Sequence, residues 1–218
     1  MLRNSTQYVC LNAVTFVMLL GGIAPSGRAK GTTGCGATPQ PTVTVWLARL
    51  AVAQSAGDAL AIAYARRLAA EMFASIGVKL EWRSGLPGDQ PACGETLAMD
   101  LALDPGASDS ARFPASALAY ATVGSQQVVA IHLFYNRIMS RRDSDLKRAL
   151  LAHVMVHEIT HVLEGLARHS SEGIMKANWD EADFKAMMAR PLHFAPEDVR
   201  LVSAHFGMEG GSEAVAAR

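Results

Sequence analysis

The sequence lacks several features that would point to common classes of protein. Its 20 Lys and Arg residues balance its 20 Asp and Glu residues, so the formal net charge is zero with histidine neutral. Without a basic excess there is no indication of a nucleic-acid-binding face. The three cysteines, Cys10, Cys35 and Cys93, form no C-x-x-C pair, which disfavours a zinc site built from cysteine. No internal repeat is recognisable.

A long membrane-spanning run is also missing. The apolar, uncharged segment 8–23 has 16 residues, whereas a spanning helix needs ~20. Arg3 precedes this segment and small residues follow it, as in a secretory signal peptide. Cleavage after Ala29 fits the preference for small residues before the cut. We therefore predict a signal peptide over 1–29 and export, with no stable membrane span after cleavage; an uncleaved anchor is the alternative.

One domain is expected behind this leader, because half of the 218 residues are hydrophobic and can form a single core. We predict a Gly/Thr/Pro-rich linker over 30–41, the domain over 42–206 and a flexible Gly/Ala-rich tail over 207–218. Cleavage of the leader would leave Cys35 and Cys93 as an even pair, so a disulfide is an open alternative in an oxidising compartment.

Hydrophobic periodicity predicts an α/β (α+β) domain. Alternating apolar residues predict four to five strands, at 42–47, 78–83, 96–103, 117–123 and 128–135. Apolar residues at three- and four-residue steps predict helices at 58–76, 145–167, 179–190 and 196–206. Asp58 is expected to cap the first helix, Asp143 or Ser144 the second and Asp180 the third.

The second of these helices is apolar on nearly every side between Ala149 and Leu163, which is typical of a buried central helix. It contains His157-Glu158-Ile159-Thr160-His161. Histidines four residues apart lie on one face of a helix, so both can bind one zinc ion. Glu158 is one residue beyond His157, so its side chain points in a different direction from the two histidines and suits a general base better than a metal ligand. Buried polar side chains need partners, and a metal would supply them.

A catalytic zinc has three protein ligands and one open position, so a third ligand is needed. Gly165 lets the chain leave the helix sharply, and His169 can then return to the metal. This is the favoured interpretation. Glu181, on the following helix, is the alternative third ligand, and Glu164 and Glu172 are weaker candidates.

The segment from His157 to Met175 resembles the metzincin zinc peptidases, which share HExxHxxGxxH followed by a Met-turn below the metal. Here the glycine comes one residue late and the third histidine two residues late. The segment also matches HExxHxLxGxxxHSxxGIM, found in uncharacterised bacterial secreted proteins predicted to be metzincin-like. This resemblance implies a mixed twisted sheet with a backing helix, a buried active-site helix and C-terminal helices. It implies one Zn²⁺ per chain bound by His157, His161 and His169, with Glu158 as base and Met175 in the turn.

The resemblance further implies a monomeric endopeptidase that acts on peptides or proteins, with an extended substrate paired to the edge of strand 128–135. In related peptidases a Tyr soon after the Met-turn aids the transition state; here the last Tyr is Tyr135, so that role is vacant or filled by another group. The alternatives are a zinc hydrolase of a non-peptide amide and a non-catalytic protein with a structural zinc. A fourth protein ligand, from His153 or Glu181, would indicate the structural metal, because structural sites are closed.

Ordinary roles are expected for other noticeable residues. His153 is interpreted as a helix histidine with a local partner rather than a second layer around the metal. His132 is interpreted as an outward strand residue rather than part of a cleft. Trp179 is left open between a cleft wall and packing against the Met-turn.

Overall fold

The structure, a computed structural model, describes residues 9–10, 40–47, 55–85, 95–102, 117–123, 129–141 and 143–208. Most of the predicted leader and linker, both Cys35 and Cys93, and the tail beyond Met208 lie outside the described residues. Signal cleavage and the disulfide therefore stay predictions. Among the helices of the described ranges, none is long and apolar enough to cross a membrane.

A five-stranded mixed sheet forms the base of the domain. The strands of the described chain are β1 (Val9–Cys10), β2 (Thr42–Leu47), β3 (Lys79–Ser84), β4 (Glu95–Ala102), β5 (Ala119–Val123), β6 (Val129–Phe134) and β7 (Asn178–Trp179). The sheet has the order β3-β2-β4-β6-β5, in which only β5 runs antiparallel to its neighbour. The short β1 and β7 pair antiparallel to each other. The predicted mixed α/β class is confirmed.

The expectation that strand 128–135 offers a free edge is wrong. This strand is β6, and Ile131 lies opposite Met99 of β4 on one side and Ala121 of β5 on the other. Both edges of β6 are therefore used, and β5 is the outer strand on this side of the described sheet. Alternation of apolar residues shows which face of a strand is buried, but it does not show which strands are its neighbours.

Five helices are described: α1 (Ala56–Ala74), α2 (Tyr135–Met139), α3 (Ser144–Glu164), α4 (Glu181–Ala189) and α5 (Pro196–His205). The short α2 was not predicted, since Tyr135 was assigned to the preceding strand. Asp58 does not cap α1. Ser55 is the N-cap, and Asp58 completes a capping box from within the first turn. Asp143 and Asp180 cap α3 and α4 as expected.

Helix α3 is the centre of the domain, as its composition predicts. It packs against α1, α4 and α5 and against strands β5 and β6. Its fully buried apolar residues include Leu150, Leu151, Val154, Met155 and Ile159. Burying such a side chain stabilises the fold by about 1.5–3 kcal/mol. Rotation of α3 would expose several of them at once, so the packing also fixes where its polar residues lie.

The C-terminal end of the domain extends slightly beyond its predicted limit. The amide of Gly207 donates to the carbonyl of Ala204, and the amide of Met208 donates to the carbonyl of Ser203. The Met208 side chain packs against the core. The first two residues of the predicted flexible tail are therefore bound to the end of α5.

Candidate metal centre

Two histidines of α3 face each other one helical turn apart. His157 and His161 are 0 and 1% exposed, and their Nε2 atoms lie 3.0 Å apart. Their rings are nearly perpendicular, with centroids 4.6 Å apart. The spacing of four residues therefore brings the two imidazoles together as the sequence predicts.

Backbone carbonyls determine which nitrogen of each ring carries its proton. The Nδ1 atom of His157 lies 2.9 Å from the carbonyl oxygen of Ile174, and the Nδ1 atom of His161 lies 3.1 Å from that of Leu166. A carbonyl only accepts, so each Nδ1 donates and each Nε2 of the neutral ring keeps a lone pair. Two lone pairs then face each other, which is unfavourable unless a cation binds both.

His169 completes the group from outside the helix. Helix α3 ends at Gly165, whose φ of 64° is left-handed, and the Gly165 amide donates to the carbonyl of His161. The chain then returns, so that the His169 ring lies 5.4 Å from that of His157 and 5.0 Å from that of His161, between centroids. The His169 Nε2 atom is buried and has no hydrogen-bond partner among the described residues.

The three histidines fit a zinc ion. One nitrogen from each lies within 4.8 Å of the others, and among the described residues no other group of three His, Cys, Asp or Glu is as close. In tetrahedral zinc, nitrogens about 2.0–2.1 Å from the metal lie roughly 3.3 Å apart. Burial lowers the pKa of His157 well below its ordinary value, that of His161 to about 4, and that of His169 as well. The rings are therefore neutral at physiological pH, as metal ligands must be.

Glu158 is buried beside these ligands. It is 2% exposed, and within the described ranges its Oε2 atom has no hydrogen-bond partner. Burial raises the pKa of its carboxyl to about 8, because the low-dielectric interior disfavours the charged form. A nearby cation would favour the carboxylate instead. Such a group can exchange a proton near neutrality, which general acid–base chemistry requires.

The turn that contains Met175 is bound to the histidine helix through the preceding residue. The Ile174 carbonyl accepts from His157, and the Ile174 amide donates to the carbonyl of His193 over 2.9 Å. The Ser170 amide donates to the Met175 carbonyl over 2.8 Å. Met175 itself is fully buried. The turn therefore lies against the group of three histidines.

Trp179 and His153 have structural roles. Trp179 is fully buried, packs edge-on against His157 and donates from its indole to the Gly173 carbonyl, so it packs against the turn and does not line a cleft. His153 donates from Nδ1 to the Ala149 carbonyl and accepts at Nε2 from the Leu192 amide. Both of its nitrogens are used, so it is not a fourth ligand.

The weaker candidates lie outside the group of three histidines. Glu181 is exposed at the start of α4, and the side chain of Glu172 is 63% exposed. Glu164 is turned towards Arg168, 3.4 Å from its Nε atom, and burial raises the pKa of this carboxyl to about 7. His132, on β6, stacks on Tyr120 and is only partly buried, as an outward strand residue should be.

Sequence reasoning missed a set of polar residues around the third ligand. Arg168 and Ser170, the two neighbours of His169, both bind Asp198 of α5. Asp198 is fully buried. A charged residue beside the motif is a weak signal by itself, and nothing in the sequence connects Arg168 to an aspartate in a distant helix.

Comparison with known proteins leaves the family of this chain unassigned. No family model and no curated protein matches the sequence. Among solved structures, the chain is similar to archaemetzincin from Methanopyrus kandleri, with 11% sequence identity and a TM-score of 0.45, over 77% of this chain and 96% of that one. Similarity at this level assigns no function, so the conclusions below depend on the geometry of the site.

Substitution of Gly173 is predicted to be far more costly than substitution of Gly165. Gly173 has a φ of 72°, and an added Cβ would lie 2.4 Å from the His193 carbonyl oxygen. At Gly165, with a φ of 64°, an added Cβ would meet no atom of the described residues within 4 Å. Gly165→Ala should lower the free energy of unfolding by about 1–2 kcal/mol, and Gly173→Ala by about 2–4 kcal/mol. Urea denaturation measures both, and equal losses would contradict the close contact at Gly173.

His153 is predicted to contribute an acid-sensitive part of the stability. Burial lowers its pKa from 6.5 to about 4, so below about pH 6.5 the unfolded chain takes up a proton that the folded chain does not. The difference in free energy of unfolding between wild type and His153→Gln should therefore decrease by up to roughly 3 kcal/mol as the pH falls from about 6.5 to 4. Denaturation of both proteins across this range tests it, and a pH-independent difference would refute it.

Proposed function

We propose that this protein is a zinc-dependent hydrolase, and more narrowly a metzincin-like endopeptidase. The observation that carries this proposal is the convergence of His157, His161 and His169 beside the buried carboxyl of Glu158. A zinc ion held by the three imidazoles would polarise a substrate carbonyl and lower the pKa of a water ligand to ~7. The neutral, proton-free Nε2 atoms of His157 and His161 support this ligand set.

Glu158 is the general base in this proposal. Its carboxylate takes a proton from the water that attacks the carbonyl carbon, and it delivers that proton to the leaving amine as the carbon–nitrogen bond breaks. Two features support this role. Glu158 follows His157 directly in a rigid, buried helix, and its Oε2 atom is not bound by any protein group in the described chain. This oxygen can therefore accept a proton without breaking a structural hydrogen bond.

A peptide or protein is the proposed substrate, bound in an extended form. Since β6 is enclosed by its neighbours, we assign the pairing edge to β5, which is the outer strand and runs antiparallel to the rest. Helix α3 packs directly against β5, so this edge is close to the helix that carries the motif. Export through the predicted leader 1–29 and a monomeric state belong to the same proposal.

A structural zinc is the second candidate, and the near-complete burial of His157 and His161 is the observation that favours it. A closed structural site needs a fourth protein ligand. His153 is engaged by backbone groups at both nitrogens, and within the described ranges the close group has three members. These features support the open, catalytic site over the closed one.

The ligand set predicts the outcome of metal analysis on purified protein. Wild type should contain about one zinc per chain, His157→Ala and His169→Ala should lose it, and Glu158→Gln should keep it, since three ligands bind the ion in a catalytic site and Glu158 is not among them. Glu181→Ala serves as the control and should also keep the zinc. Retention of zinc in His169→Ala together with its loss in Glu181→Ala would show that the third ligand is misassigned.

The role of Glu158 predicts a loss of hydrolysis without a loss of metal. In digestion of a broad peptide library, Glu158→Gln should cleave about 10²–10⁴-fold more slowly than wild type, because the amide cannot accept the proton. Glu172→Gln is a matched control, since this glutamate is close in sequence but exposed, and its rate should be unchanged. Absence of cleavage by the zinc-loaded wild type would instead favour a structural metal or a non-peptide amide substrate.

A further inference from the structure

The third histidine is placed differently from the other two. His157 and His161 belong to a helix, and a backbone carbonyl holds the Nδ1 atom of each ring. His169 lies in a segment without regular structure, residues 167–169. Within the described part of the chain, its Nε2 atom has no hydrogen-bond partner, and its ring contacts are with the other two histidines. The position of the His169 ring must therefore be fixed by the contacts of Arg168 and Ser170, its neighbours in the chain.

Both neighbours of His169 bind one carboxylate oxygen. The Nη2 atom of Arg168 donates to Oδ1 of Asp198 over 2.5 Å, and the Ser170 hydroxyl donates to the same oxygen over 2.6 Å. Arg168 also donates from Nη1 to the Ser170 hydroxyl over 3.0 Å. These three bonds link both neighbours of His169 to one carboxylate, and in each of them the donor or the acceptor is charged, which makes such bonds strong.

Asp198 is itself held firmly. It is 0% exposed, it lies in the first turn of α5, and its Oδ2 atom accepts from the Ala195 amide over 2.9 Å. Helix α5 packs against α3. The carboxylate therefore connects the loop that carries the third histidine to an element packed against the helix that carries the first two.

We propose that Asp198 is the positioning residue of the third metal ligand, acting on His169 through Arg168 and Ser170. The inference rests on His169 as a ligand of the proposed zinc site and extends it to the residue that holds the ligand in place. Without Asp198, the loop must be ordered at the moment of metal binding, and this ordering reduces affinity. Asp198 touches neither metal nor substrate, so it is not a catalytic residue.

A purely structural role is the competing explanation, because Asp198 also accepts from the N-cap amide of its helix, that of Ala195. Asp183 provides a matched control in α4. Its side chain accepts from the N-cap amide of Asp180 over 2.9 Å and binds the Lys176 ammonium group. Asp183→Asn therefore weakens the same kinds of interaction at another helix start and leaves the bonds of Arg168 and Ser170 to Asp198 in place.

The test measures the Kd for Zn²⁺ on the full-length chain, by competition with a chromophoric chelator. Asp198→Asn should raise the Kd about 10–100-fold, as expected for residues that orient a ligand. Ser170→Ala removes two of the three bonds but leaves the pair between Arg168 and Asp198, so it should raise the Kd by about threefold to tenfold. The Kd of Asp183→Asn should stay within about twofold of wild type. Unchanged affinity in Asp198→Asn, or an equal loss in Asp183→Asn, would overturn the proposal.

A double-mutant cycle separates positioning from general destabilisation. His169→Ala should lose zinc during purification, but the residual affinity of His157 and His161 can still be measured by titration. In this background the third ligand is absent, so neither Asp198→Asn nor Ser170→Ala should weaken that residual affinity further. A further loss in that background would mean that these residues act on the fold as a whole, which would overturn the proposal. If Asp198→Asn does not fold, Ser170→Ala and its cycle with His169→Ala decide the question.

The outcomes also separate this inference from the proposed function. If wild type binds zinc but hydrolyses no substrate, the proposed hydrolase function is refuted, and the Kd values still decide the positioning role of Asp198. Wild type that hydrolyses peptides while Asp198→Asn binds zinc normally would refute the positioning role alone. Wild type that binds no zinc would refute both.

Discussion

The hydrogen bond from His157 Nδ1 to the Ile174 carbonyl is the interaction on which the site depends most. It fixes the proton of His157 away from the metal-binding group, and it attaches the turn at Gly173–Met175 to the buried helix α3. The amide of the same residue, Ile174, is held by the carbonyl of His193. The amide and the carbonyl of Ile174 thus connect the turn to two other parts of the domain, the central helix α3 and the segment before α5.

Burial of α3 holds the polar side chains of the site in defined positions, but it also makes them energetically unfavourable where they are unpaired. Helix α3 is packed on nearly all sides, so its histidines and Glu158 occupy a low-dielectric interior in which unpaired polar groups are unfavourable. The lone pairs of His157 and His161 face each other, and one oxygen of Glu158 has no partner in the part of the chain that the structure describes. A divalent cation would remove most of this cost. Metal binding and folding are therefore expected to be coupled in this protein.

The ligands also illustrate two ways of placing a side chain. A helix places His157 and His161 through its own repeat, with no help from distant residues. A loop has no such repeat, and its conformational entropy favours many positions. In our proposal the loop of His169 is held instead by the buried carboxylate of Asp198, which binds Arg168 and Ser170. This contact between the loop and α5 offsets the conformational freedom of the long connection between Gly165 and His169.

The sequence by itself determined what is local. The four-residue spacing of His157 and His161, the apolar composition of α3 and the alternation in the strands each belong to a single element, so they predicted the paired histidines, the buried helix and the mixed α/β class. Periodicity extended this helix to residue 167, whereas α3 ends at Glu164, before the left-handed Gly165. The tertiary structure alone decided what depends on residues far apart in the chain: that β6 is enclosed and β5 is the edge, and that Asp198 reaches the loop of His169. Such contacts arise from packing between elements, and periodicity within one element carries no information about them.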